Sequence, residues 1–126
     1  MSTLAVGTIK SASSAPPVFQ NSSGTEIGTL CRAWVNFAAS DASIRDDFNV
    51  SSVTDHGTGD YTVNFSSAMS DNDYAWFVSA GRGGNAGAII SVQDTTDMSA
   101  SAFRFTTRNT GNNKENFTHV CAGFFR

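Results

Sequence analysis

SSVTDHGTGDYTVNF, Ser51 to Phe65, is the stretch whose reading decides the fold. Tyr61, Val63 and Phe65 alternate with Thr62 and Asn64, the period of two expected of a strand with one buried face. NVSSVTD (49–55) is a second strand-like run, and HGTGD between the two supplies two glycines able to take positive φ. A hairpin follows, and the alternation sets its register, because a slip of one residue would turn every apolar side chain outward. The stretch carries no obvious chemistry, so its clarity is structural.

The same pattern extends in both directions. In LCRAWVNF (30–37), Cys31, Ala33, Val35 and Phe37 alternate with Leu30, Arg32, Trp34 and Asn36. DYAWFVSA (73–80) reads as an aromatic strand buried on both faces, and AIISV (88–92) as a short apolar one. SAFRFTTR (101–108) sets Phe103, Phe105 and Thr107 on one face, and NFTHVCAGFFR (116–126) closes the chain as a strand. ASDASIRDDF (39–48) is polar and reads as a loop with Ile44 and Phe48 turned inward, or as a short helix. About seven strands joined by short polar turns predict an all-β, antiparallel β-sandwich of jelly-roll-like type. Residues 1–29 differ: a short apolar strip (Leu4, Val6, Ile9) precedes SASSAPPVFQNSSGT, where Pro16-Pro17 stiffens the chain. This segment has too few apolar residues for its own core and reads as an extended N-terminal arm on a head spanning 30–126. Its apolar residues Leu4, Val6, Ile9, Val18 and Phe19 are candidates for docking on a partner.

Composition narrows the function. At 126 residues one head domain is expected, and ten Phe suit a β core filled by aromatics. Charged residues are only 15% of the chain and the net charge is −3, without the clustered Lys and Arg that phosphate backbones require, so nucleic acid is not an expected partner. No run is long and apolar enough for a spanning helix, and MSTLAVGTIK lacks the pattern of a secretory signal. Cys31 and Cys121 read as two buried reduced thiols; they would meet only if the first and last strands of the head were neighbours.

Motifs for catalysis or metal binding are weak. GRGGNAG (81–87) lacks the Lys and Ser/Thr ending of a P-loop and reads as a tip between strands. Serine never occurs as GxSxG, and His56 and His119 are isolated, with His56 in the hairpin turn. SDND (70–73) and DASIRDD (41–47) hold carboxylates without the spacing of a calcium loop, and Arg45 beside Asp46 and Asp47 reads as a surface charge cluster. No Cys/His pair suits zinc, and no cofactor is implied. The sequons at Asn21, Asn49, Asn64 and Asn116 matter only in a secretory pathway. Trp34, Trp76, Tyr61 and Tyr74 suit sugar stacking or, more simply, core and subunit packing. The tip loops 81–87 and 109–115, with Arg82, Asn85, Asn109, Asn112 and Asn113, are the candidate receptor contacts, since loops on rigid sandwiches often carry binding.

GTEIGTLCRAWVNF (24–37) and IRDDFNVSSVTDHGTGDYTVNFSSAMSDNDYAW (44–76) together resemble a family of phage virion proteins. These are common in cyanophages and other aquatic phages, as short tail-fibre-like proteins or as distal domains of fibres and tailspikes. MSTLAVGTIK is similar to the start of the short members, whereas residues 77–126 match loosely. The chain departs at Ala38-Ala39-Ser40-Asp41, where relatives often have an Asn/Gly-rich turn, and at His56, more usually Asn. The resemblance implies no enzyme; it implies a β-sandwich head that forms homotrimers and faces outward from the particle. A fibre usually carries a coiled-coil or β-helical shaft before its tip, and here only a short arm without heptads precedes the head. The expectation is therefore a trimeric capsid-decorating (cement) protein, its arms docked on the major capsid protein and its tip loops near host-surface glycan. The alternatives are a tail-fibre or tailspike tip that binds a receptor and, in a different class, a small glycan-degrading enzyme with paired carboxylates in a cleft.

Overall fold

The computed structural model describes residues 3–12, 16–81, 87–92 and 97–126. The chain divides into two compact units, Met1–Leu30 and Cys31–Arg126. Among the described residues there is no α-helix.

The first unit holds a small hairpin, β1 (Phe19–Gln20) and β2 (Glu26–Gly28), where the sequence suggested only a tether. Its turn closes because the Asn21 Oδ1 accepts from the backbone N–H of Ser23 and Thr25 and because Gly24 takes φ 79°. No described residue of this unit is buried.

The second unit is an antiparallel sandwich of two four-stranded sheets. Its strands are β3 (Cys31–Phe37), β4 (Ile44–Phe48), β5 (Val50–Asp55), β6 (Asp60–Phe65), β7 (Ala75–Gly81), β8 (Ile89–Ser91), β9 (Ala102–Arg108) and β10 (His119–Phe125). The sheet orders are β4-β3-β10-β7 and β5-β6-β9-β8. All seven strands expected from periodicity are present. The eighth, β4, replaces the expected loop or short helix at 39–48: its polar residues suit an edge strand, where charges discourage pairing with another chain. Phe48 does not turn inward; it is 54% exposed and stands opposite Trp34.

The inward faces are those the alternation predicts. Ala33, Val35 and Phe37 of β3, Tyr61, Val63 and Phe65 of β6, Phe103, Phe105 and Thr107 of β9, and Val120, Ala122 and Phe124 of β10 are all buried. Rings bridge the sheets in edge-to-face contacts: Phe37 on Tyr61 at 5.1 Å, Phe65 on Phe124 at 4.9 Å and Phe103 on Phe124 at 5.3 Å. Such pairs contribute roughly 0.5–1.5 kcal/mol each beyond the area they bury. β7 departs from expectation: Tyr74 just before it is buried, but Phe77 is 65% exposed, so the strand buries one face only.

Two junctions lock the sandwich. In the β5–β6 turn, Gly57 and Gly59 take φ 114° and 64°, and a Cβ at Gly59 would lie 2.5 Å from the Thr107 carbonyl oxygen. The Gly59 N–H donates to Asn116 Oδ1 at 2.7 Å, and its carbonyl accepts from the Thr107 N–H. The Tyr61 hydroxyl lies 2.7 Å from the Ala39 carbonyl and 2.8 Å from the same Asn116 oxygen, two acceptors for one proton. Burial pushes the Tyr61 hydroxyl up to about 12. Where the chain crosses between sheets, Asn49 takes φ 57°; its side chain donates to the Arg32 and Ser67 carbonyls and accepts from the Ser67 N–H. Asn tolerates this left-handed conformation better than most residues.

Candidate functional site

Alternation decides what each sheet turns outward. On β5-β6-β9-β8 the outward side chains are mostly polar and satisfy one another. Asp60 accepts from Arg104 Nε at 2.9 Å, Arg104 Nη2 at 3.1 Å and Lys114 Nζ at 2.7 Å. The Arg104 hydrogen bonds, supported by Lys114, hold its carboxyl down at about 2. Asn64 donates to Ser52 and Thr54, and His56 Nε2 lies 2.9 Å from the Thr62 hydroxyl.

The outward face of β4-β3-β10-β7 is different. The register sets Phe48 beside Trp34, Trp34 beside Gly123, and Gly123 beside Phe77, so one row crosses all four strands as Phe, Trp, Gly, Phe. The adjacent outward row reads Asp46, Asn36, Cys121, Ser79. Where Gly123 has no side chain, an open cavity of about 460 Å³ lies above β10, flanked by Trp34 and Phe77 and reaching Asn36, Cys121 and Ser79. Phe77 is braced by an edge contact with Phe125, centroids 5.7 Å apart. None of the described residues lining the cavity is charged. The volume and the mix of apolar walls with a few polar groups match a small-ligand site.

Of the residues singled out from sequence, Trp34 lines the cavity; none of the docking and receptor candidates is among its described lining residues. Leu4, Val6, Ile9, Val18 and Phe19 are all exposed, Leu4 the most at 81%. Arg82 and Asn85 lie outside the described residues. Asn109, Asn112 and Asn113 form the turn after β9, where the Asn109 Oδ1 accepts from the Gly111 and Asn113 N–H groups and Arg108 donates to the Asn112 carbonyl. That turn spends the Asn109 oxygen on its own closure; Asn112 and Asn113 are exposed. Arg45, exposed beside Asp46 and Asp47, donates to Asn36 Oδ1 and to the carbonyls of Phe37 and Thr118. Cys31 and Cys121 are free thiols, and Cys121 is exposed rather than buried. Their strands are neighbours, yet Cys121 stands opposite Asn36 and Cys31 opposite Phe125, which keeps the sulfurs apart. Among the described residues no group of three or more His, Cys, Asp or Glu is placed to hold a metal ion.

No protein-family model matches the chain, and no curated protein matches it. Among solved structures it is similar to the phiAB6 tailspike, determined in complex with three-repeated oligosaccharides of Acinetobacter baumannii surface polysaccharide. The match has a TM-score of 0.52 at 15% identity and covers 97% of this chain but 30% of the tailspike chain. At that identity the likeness is one of fold.

Proposed function

We propose that this chain is a phage virion module of the tail receptor-binding class, a non-enzymatic β-sandwich adhesin that binds bacterial surface glycan. The observation that carries this is the fold likeness, which spans nearly the whole chain and runs to a tailspike solved with surface-polysaccharide oligosaccharides. The motif resemblance at 24–37 and 44–76 points to the same group of proteins independently of the fold. Assembly as a homotrimer belongs to the proposal, since three weak sites on one particle act together through effective concentration.

The arm supplies attachment in this scheme, through the exposed Leu4, Val6 and Ile9. A capsid-decorating role would use the same strip, but the fold likeness favours the tail. Gold-labelled antibody against the protein, imaged on intact virions, tests the location: label at the tail is expected, and label spread over the capsid overturns it. Purified protein on an array of bacterial surface polysaccharides tests binding. Retention of at least one polysaccharide with its chain length unchanged is expected; shortened chains would instead favour a glycan-degrading enzyme.

A further inference from the structure

We infer that the cavity over Gly123 is the glycan site, and that it takes a neutral pyranose ring held between Trp34 and Phe77. The inference rests on the proposed glycan-binding function and adds to it the place and the sugar class.

Gly123 is the first reason. It sits inside a central strand, where glycine weakens a sheet by roughly 0.5–1 kcal/mol relative to alanine. Nothing in the fold asks for it: it is not among the glycines with positive φ, and a Cβ there would meet only the Phe125 ring edge, at an ordinary 3.8 Å. What the missing side chain provides is the floor of the cavity.

Dimensions are the second. Trp34 and Phe77 stand on strands two apart, roughly 9.5 Å by strand spacing. A ring in contact with an aromatic wall on each side needs roughly 3.5–4.0 Å to each. Two such contacts together with the thickness of one puckered pyranose chair come close to that spacing, so a single ring fits between the walls, its C–H faces against the aromatics.

The third is the polar row beside the aromatic one, which keeps donors open to solvent. Asn36 has its oxygen occupied by Arg45, while its amide nitrogen and the Ser79 hydroxyl make no hydrogen bond among the described residues. A sugar offers apolar faces and a rim of hydroxyls, so one ring serves the aromatic row and the polar row together. A second copy of this chain packed on the face would bury that amide and hydroxyl at a cost unless it supplied matching partners. None of the described lining residues is charged, and Arg45 at the rim is already engaged by Asn36 and two backbone carbonyls, which favours a neutral sugar over a sialic or uronic acid, whose carboxylate would lose water without gaining a free cation.

The test uses the full chain, the polysaccharide array, and a Gly123→Val variant that fills the floor with a strand-favouring side chain. Wild-type binding to a neutral polysaccharide, reduced at least tenfold by Gly123→Val while the melting temperature stays at or above wild type, is the expected result. Bound polysaccharide should also slow iodoacetamide alkylation of Cys121 several-fold, with partly buried Cys31 as the internal reference. Equal binding by wild type and Gly123→Val, binding confined to acidic polysaccharides, or unslowed alkylation of Cys121 would each overturn the inference and leave the adhesin function standing. Failure of wild type to bind any polysaccharide would overturn both. A wild-type oligomer that Gly123→Val converts to monomer, by sedimentation, would assign the face to subunit contact and overturn the inference.

Discussion

The two sheets of the sandwich present opposite surfaces to solvent. On β5-β6-β9-β8 the outward side chains bond to one another: Asp60 to Arg104 and Lys114, Asn64 to Ser52 and Thr54. On β4-β3-β10-β7 one outward row is aromatic, with Trp34, Phe48 and Phe77 all exposed and Gly123 leaving a gap among them, beside a polar row. One core supports both faces, so the difference does not come from the needs of burial. Residues on the first face complete each other and should act on stability. Residues on the second are incomplete and should act on binding while barely affecting stability.

Gly59, at the corner where the polar sheet begins, should give the largest effect. Alanine there meets positive φ and a clash with the backbone of Thr107 and Glu115, neither of which is a flexible side-chain end. Gly59→Ala should lose about 3 kcal/mol or more in urea unfolding. A loss under about 1 kcal/mol would mean the corner yields, and the rigidity assigned to this sheet would fail with it.

Asp60 comes next, and its effect depends on pH. Its folded carboxyl sits at about 2 against an ordinary 3.8. A group depressed on folding stabilises the protein above its unfolded value and loses that contribution as pH falls through the folded one. The stabilisation is therefore complete above roughly pH 5 and drains away between about pH 4 and pH 2. Because Arg104 and Lys114 are partly exposed, about 1–2 kcal/mol is expected rather than the full shift. Asp60→Asn should be less stable than wild type by that amount at pH 7 and should show a shallower acid limb. Identical acid limbs in the two proteins would show that the ion pairs do not stabilise the fold.

A matched pair compares the faces directly. Asn64→Ala removes the donor shared by Ser52 and Thr54 and should lose about 1 kcal/mol. Ser79→Ala, on the aromatic face, breaks no hydrogen bond among the described residues and should be neutral within about 0.5 kcal/mol. Equal losses in thermal unfolding would erase the distinction between the faces.

Much of this fold was legible in the sequence because its strands alternate cleanly. Tyr61-Val63-Phe65 and Phe103-Phe105-Thr107 fall on the core as their spacing predicts. β4 was not legible, since an edge strand needs few apolar residues and IRDDF offers only its two ends. The β1–β2 hairpin was marked only by Asn21 and Gly24, whose side-chain and φ roles look the same in any polar turn. The cavity was hidden for a different reason. Trp34, Phe77 and Gly123 are far apart in the chain, and their shared row exists only through the pairing of β10 with both β3 and β7. The outward turn of Trp34 was visible from alternation, but nothing local revealed which outward residues would be neighbours.

Gly123→Ala should also have a small effect on stability, and it differs from the destabilising changes in sign. The position has ordinary strand geometry and room for a methyl group. Alanine restricts the unfolded chain more than glycine does, so the variant should gain a few tenths to about 1 kcal/mol in urea unfolding. The methyl would also begin to fill the gap between Trp34 and Phe77. Stability rising as glycan retention falls would place Gly123 among residues kept for the space they leave. Stability falling instead would mean that β10 needs its glycine for the strand itself, and the two faces would then differ less in kind than their side chains suggest.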